Sequence, residues 1–144
     1  MRINKARLSE LIPHAGNMVL IDSVETWDNN EIVCKASSHT DPENPLRDGN
    51  QLGSICIIEY AAQAMAVHGA LVAGAQEKPE EGYLGGLKDI TLFVGRLDNL
   101  ESNLEIYANR KIAINDSFVY DFSVSYGEAP VAEGRLFVFT KPPV

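Results

Sequence analysis

Glu59 sits in an unusual setting for a carboxylate. The run Ile55–Ala75 is built almost entirely of apolar and small residues, broken by Glu59, Gln63 and His68. An isolated carboxylate on a buried helix needs a partner or a raised pKa, because burial disfavours its charged form. A carboxyl poised in this way can act as a general acid or base, although a buried structural hydrogen bond would explain it too. Gln63 lies one helical turn further on, on the same face, where it can orient Glu59 or simply pack. His39, twenty residues before Glu59, is the nearest upstream imidazole and a candidate general base, the alternative being a surface histidine at a strand end. His68 is nine residues beyond Glu59, which at ~100° per residue puts it on the far side of the helix as a core or interface histidine. Gly49 and Gly53 precede the helix start, where free backbone N–H groups can polarise a carbonyl oxygen, the alternative being simply a turn and a helix start.

The elements that must position these residues are legible from pattern. A short helix is expected over Ala6–Ile12, ended by Pro13, followed by a strand over Met18–Trp27, rich in β-branched and apolar residues. Asp28-Asn-Asn30 is a turn, and Glu31–Ser38 follows as the second strand of a hairpin. Residues 39–53 hold two prolines, two glycines and several turn formers and read as a long loop, a feature that is usually functional in a compact domain. Ser54 can cap the long helix, which is apolar nearly all round and so expected to be buried. After the Lys78–Gly82 linker, strands are expected over Tyr83–Phe93, Leu100–Ile114, Phe118–Tyr126 and Val131–Thr140, with turns at Asn115-Asp116 and Gly127–Pro130. This order implies an α+β fold in which a curved antiparallel sheet wraps one long central helix.

Composition sets the outer limits. At 144 residues the chain has the size of one domain, with 45% hydrophobic and 22% charged residues and no internal repeat. A formal net charge of −8 argues against a nucleic-acid partner, which would need a basic stripe. An acidic protein partner would need a local basic patch, for which Arg47, Lys88, Arg96, Arg110 and Lys111 are the candidates. The N-terminus lacks an apolar segment of signal-peptide type, and the polar breaks in the Ile55–Ala75 run argue against a membrane span, so a cytoplasmic protein is expected. Cys34 and Cys56 have no CxxC spacing and read as small apolar residues in a reducing compartment. No nucleotide fingerprint or metal-ligand cluster is visible, so neither a cofactor nor a metal is expected.

Three segments carry a family likeness. Leu11-Ile-Pro-His-Ala-Gly-Asn-Met-Val-Leu-Ile-Asp22 resembles the opening of the hotdog-fold (3R)-hydroxyacyl-[acyl-carrier-protein] dehydratases. Ile58-Glu-Tyr-Ala-Ala-Gln-Ala-Met-Ala66 is similar to their central-helix segment, a Glu followed by small residues and a Gln four places on. Gly82-Tyr-Leu-Gly-Gly-Leu-Lys-Asp-Ile90 with Phe93 resembles the strand after that helix. The resemblance implies a single hotdog domain over residues 1–144 and a substrate that is an acyl thioester on acyl carrier protein or coenzyme A. It implies Glu59 as the group that assists departure of the 3-hydroxyl, Gln63, Gly53 and Leu52 as substrate-binding positions, and His14 as a structural residue. One departure stands out. The typical Gly-His-Phe-Pro-Gly loop would put its histidine fourteen residues before the helix Glu, where this chain has Pro45. The Ser38–Arg47 segment is closer to a divergent branch associated with aryl-polyene clusters.

Three functions follow as expectations. The first is dehydration of a 3-hydroxyacyl thioester, with His39 replacing the missing base. The second is a non-catalytic partner subunit of a related dehydratase, motivated by the lost histidine loop. The third is a hotdog acyl thioesterase. A homodimer or a heterodimer with a related dehydratase is expected, because a lone sheet of this kind leaves an edge strand open and the resembling proteins close it by pairing sheets.

Overall fold

The computed structural model describes residues 2–12, 16–74 and 82–140. Helix α1 covers Lys5–Leu11, with the Asn4 side chain accepting a hydrogen bond from the Arg7 amide at 3.1 Å. The strands are β1 Ser23–Trp27, β2 Glu31–Ala36, β3 Tyr83–Leu92, β4 Leu104–Ile114, β5 Ser117–Tyr126 and β6 Ala129–Phe139, and the long helix α2 is Ile57–Ala73. All pairings are antiparallel and the order across the sheet is β1-β2-β4-β5-β6-β3. The sheet wraps α2, the expected α+β hotdog arrangement. Tyr120, Phe122 and Val124 of β5 and Ile106 and Ala108 of β4 point inward with Leu136 of β6 and meet the buried side of α2. Each such side chain contributes roughly 1.5–3 kcal/mol by leaving water.

Several boundaries differ from the sequence expectation, each for a local reason. The first strand begins at Ser23 rather than Met18: Gly16–Met18 is a 3-10 turn, and Val19, Leu20 and Ile21 are all buried, which three successive strand residues on a half-solvated sheet cannot be. Ser54 does not cap the long helix. It opens a 3-10 turn, Ser54–Cys56, with Gly53 at the N-cap position and no side-chain cap bond, and the α-helix starts three residues later. β4 starts at Leu104, because Leu97 and Leu100 turn into the core from a loop. β6 starts at Ala129, because Gly127 at φ +56° makes the preceding turn tighter than expected. Pro13, His14, and all but the last residue of the 78–82 linker lie outside the described residues.

The Ser54–Ala73 stretch is long and apolar enough to cross a membrane by composition, yet half of its apolar window is buried by the surrounding protein. It is the central helix of the sheet.

Candidate functional site

Helix α2 is fastened at both ends by polar contacts. At its start the Tyr60 side chain is fully buried, and its hydroxyl lies 2.8 Å from Ser38 Oγ and 3.0 Å from Asn44 Nδ2. Ser38 donates its own proton to the Leu20 carbonyl at 2.7 Å, so Tyr60 donates to Ser38 and accepts from Asn44. Asn44 also donates to the Ser38 carbonyl at 2.8 Å and accepts from the Leu46 amide. The loop is thereby pinned onto the helix. Burial raises the Tyr60 pKa above its ordinary value, which keeps the hydroxyl protonated for this role.

Near the other end of α2, fully buried His68 donates from Nε2–H to the Asp28 carbonyl at 2.8 Å and accepts at Nδ1 from the Tyr120 hydroxyl at 2.6 Å. Desolvation lowers the His68 pKa, and burial pushes that of Tyr120 up to about 12. Both rings are therefore held neutral. This matches the expectation of a core histidine.

Glu59 is exposed, which corrects the expectation of a buried acid. The run of small residues around it reads as hydrophobic, but Ala62, Ala66, Gly69 and Ala73 share its side of the helix and none of them is fully buried. Among the described residues no hydrogen bond or ion pair engages the Glu59 carboxylate. An acid in the first turn of a helix is also favoured by the free N–H groups there.

His39 lies in a 3-10 turn, Ser38–Thr40, and is 1% exposed. Its Nε2–H is shared between the Leu100 carbonyl at 2.9 Å and the Ser102 carbonyl at 3.1 Å, and Nδ1 is buried without a partner. Desolvation lowers its pKa. No hydrogen bond joins His39 to Glu59.

Gln63 is committed to the backbone. Its Oε1 accepts from the Leu20 amide at 2.8 Å and its Nε2 donates to the Met18 carbonyl, so it positions the segment before β1 and makes no bond to Glu59. Leu52 is fully buried. Its amide donates to Asp98 Oδ1 at 2.8 Å and its carbonyl accepts from Leu97 at 2.7 Å. Arg96 pairs with Asp98 and helps hold that carboxyl well below the usual range, which keeps the acceptor charged. Gly53 is exposed and sits opposite Arg96 in a bridge whose two bonds use the amides of Ser54 and Leu97, leaving the Gly53 N–H outside the ladder. An open groove runs past Gly53, bounded by Leu46, Asn50, Gln51, Ile55 and Cys56.

The five candidate cations do not form one patch. Arg47 donates to the His39 and Asn50 carbonyls and Arg96 is paired near the start of α2, whereas Arg110 stacks 5.5 Å from the Phe118 ring at the far end of β4.

Sequence reasoning missed Tyr60, Ser38 and Asn44. A large polar aromatic within a stretch of alanines was the available signal, since a buried hydroxyl requires partners.

Among the described residues, β3 has no strand paired on its outer side. On β3, Leu84, Leu87 and Leu92 are 46%, 49% and 37% exposed, and they pair with Val138, Leu136 and Ala132, which face the helix side of the sheet. These leucines therefore stand on the concave side, at a free strand edge.

A curved antiparallel sheet wrapped around one long helix defines a hotdog fold. The chain belongs to the ApeP-like family, described as ApeP dehydratase, whose family model matches residues 6–143, and its function is dehydratase-like. Among solved structures it is similar to the dehydratase heterocomplex ApeI:P from Xenorhabdus doucetiae, with a TM-score of 0.82, 21% identity, and coverage of 94% of this chain and 91% of that one. It is also similar to a putative thioesterase from Silicibacter sp. TM1040 (TM-score 0.64, 16% identity, coverage 98% and 93%). A hypothetical thioesterase protein with coenzyme A from Streptococcus pneumoniae TIGR4 shows the same fold (TM-score 0.58, 13% identity, coverage 81% and 82%). At these identities the structural likenesses carry the fold, and the family assignment rests on the family model. No curated protein matches the chain.

Proposed function

We propose that this chain is the Glu59-bearing subunit of a two-chain 3-hydroxyacyl thioester dehydratase, completed in the cytoplasm by a related hotdog chain that supplies the imidazole. The observation that carries this reading is the opposite fate of the two candidate groups. Glu59 is exposed and unengaged, whereas His39 is buried with its N–H held by two backbone carbonyls.

The open leucines of β3 stand on the helix side of the sheet, and together with the exposed side of α2 they would form the seat for the second chain. Sheet pairing along β3 would satisfy the edge and bury the leucines. Covering α2 would enclose Glu59 in the interface, away from bulk water. In the reaction the partner's base removes the proton at C2 of the acyl chain, the C3–O bond breaks, and Glu59 delivers a proton to the departing hydroxyl as water. A trans-2-enoyl thioester remains. The thioester carbonyl takes up charge at C2 deprotonation, and the free Gly53 amide is a donor suited to it. Acyl carrier protein or coenzyme A carries the substrate in this scheme, and the ApeI:P heterocomplex is the precedent for the two-chain form.

The test is to assay the purified chain alone and co-purified with a related dehydratase chain that has the Gly-His-Phe-Pro-Gly loop, following enoyl thioester formation. No turnover is expected from the chain alone, turnover from the pair, and a loss of roughly 10²-fold or more when this chain carries Glu59→Gln. Turnover by the isolated chain at the rate of the pair would overturn the reading.

A further inference from the structure

The loop before β4 grips one residue by both of its backbone groups. Leu52 is fully buried, its N–H donates to Asp98 Oδ1 at 2.8 Å, and its carbonyl accepts from the Leu97 N–H at 2.7 Å. On the other side of Gly53, the Ser54 N–H donates to the Gly95 carbonyl at 3.2 Å, and the Gly53 carbonyl accepts from the Cys56 N–H at 3.1 Å. Among the described residues, each backbone group from the Leu52 N–H to the Ser54 N–H is thus engaged except the Gly53 N–H.

The grip sets the direction of that N–H. The Leu52 carbonyl and the Gly53 N–H belong to one peptide unit, and in a trans peptide the two point opposite ways. With the carbonyl aimed at Leu97, the N–H points away from the 96–98 segment. Donation into the Leu52 carbonyl also polarises the unit and strengthens its N–H as a donor. Gly53 is exposed and lines the open groove beside Leu46 and Cys56. At φ −63° and ψ 148° it has a backbone conformation open to any residue, and a Cβ there would meet no atom within 4 Å. The fold therefore does not require the missing side chain, whereas a bare Cα leaves room for a ligand to approach the backbone closely.

Asp98 is the one side chain in the grip. It is only 7% exposed, Arg96 donates to both of its oxygens, and the bonds from Arg96 and the Leu52 amide hold its carboxyl well below the usual carboxylate range. It stays charged and takes no part in proton transfer.

We propose that Asp98 is a positioning residue for the dehydration: through Leu52 it fixes the peptide unit whose Gly53 N–H binds the thioester carbonyl oxygen. This rests on the two-chain reading above, in which that oxygen takes up charge as C2 loses its proton. A donor held in place serves the charged oxygen of the transition state more than the neutral carbonyl of the substrate, so displacing it lowers kcat and leaves KM nearly unchanged.

Steady-state kinetics of the two-chain complex with 3-hydroxybutyryl-coenzyme A, for the parent, Asp98→Ala, Asp98→Asn and Asp98→Glu, tests this. Asp98→Asn keeps an acceptor oxygen at the same reach, while Asp98→Glu keeps the charge and the Arg96 pair but moves the acceptor by a methylene. A positioning role ranks the variants by geometry. The Asn variant should retain kcat within about threefold, and the Glu and Ala variants should lose about 10- to 100-fold, with KM within about threefold throughout. An ion pair that merely stabilises the loop would rank them by charge, with Glu above Asn, and would move the melting midpoint rather than kcat per folded complex. That ranking, or one kcat for all four proteins, overturns the proposal; if Asp98→Ala does not fold, the Asn and Glu variants decide it. A complex with no turnover, or with turnover indifferent to Glu59→Gln, instead overturns the two-chain reading, and the proposal with it.

Discussion

Replacing His39 by alanine separates an anchoring histidine from a catalytic one. The ring is 1% exposed and its Nε2–H serves two carbonyls, Leu100 and Ser102, in the loop before β4. Removing it leaves both carbonyls without that donor and opens a ring-sized void beneath the 38–47 loop. An unsatisfied buried polar group costs about 1–3 kcal/mol, and the void adds to this, so the variant should lose about 2–4 kcal/mol in all. For a domain of this size that corresponds to a fall of roughly 10 °C in the melting midpoint. The assay is thermal and urea denaturation of the variant, followed by turnover of the two-chain complex well below the new midpoint. Turnover per folded complex should stay within about threefold of the parent, because a group that holds a loop is not consumed in proton transfer, whereas a lost general base costs 10²-fold or more. An unchanged midpoint together with a hundredfold loss of turnover would refute the reasoning and put His39 back in the chemistry.

Three further outcomes follow from the same geometry. Burial lowers the pKa of both His39 and His68, so the folded state favours their neutral forms. The stability this reflects is fully present above the unfolded value of about 6.5 and is lost as pH falls through it toward the folded values, so the urea midpoint should be level near pH 7.5 and decline toward pH 5; a level midpoint across that window would contradict it. Tyr60→Phe removes the hydroxyl that links Ser38 and Asn44 and should cost about 1–2 kcal/mol in urea unfolding, with faster hydrogen exchange at the Leu46 amide. Gln63→Leu strips the Leu20 amide and the Met18 carbonyl of their side-chain partner and should destabilise by about 1–3 kcal/mol; a neutral result would mean that water replaces the amide there.

Much of the fold was legible because its signals are local. The alternation Phe118-Val-Tyr-Asp-Phe-Ser-Val marks β5, and Tyr120, Phe122 and Val124 are indeed its buried side. The buried character of α2 was visible in its composition, but the exposure of Glu59 was not, since alanine and glycine count as apolar in a pattern and yet line an open helix face. The carbonyls bound by His39 lie 61 and 63 residues away in sequence, a distance over which no spacing rule operates. Gln63 behaves likewise: its spacing from Glu59 suggested a neighbour on the helix, while its partners are backbone groups 43 and 45 residues earlier.

The two anchors of α2 give the exposed acid a meaning that exposure alone would not. A carboxylate that must meet a reacting atom has to be held to about 0.5 Å by rigid surroundings. Among the described residues Glu59 has no side-chain partner to hold it, so its placement depends on the helix that carries it. That helix is fixed at one end by Tyr60 through Ser38 and Asn44, and toward the other by His68 through Tyr120 and the Asp28 carbonyl. Gln63 ties its middle to the segment before β1. These contacts use every polar side chain of α2 except the one on the open face. A helix that spends its buried polar groups on its own rigidity and leaves one exposed carboxylate unengaged among the described residues is the arrangement that the proposed two-chain site requires.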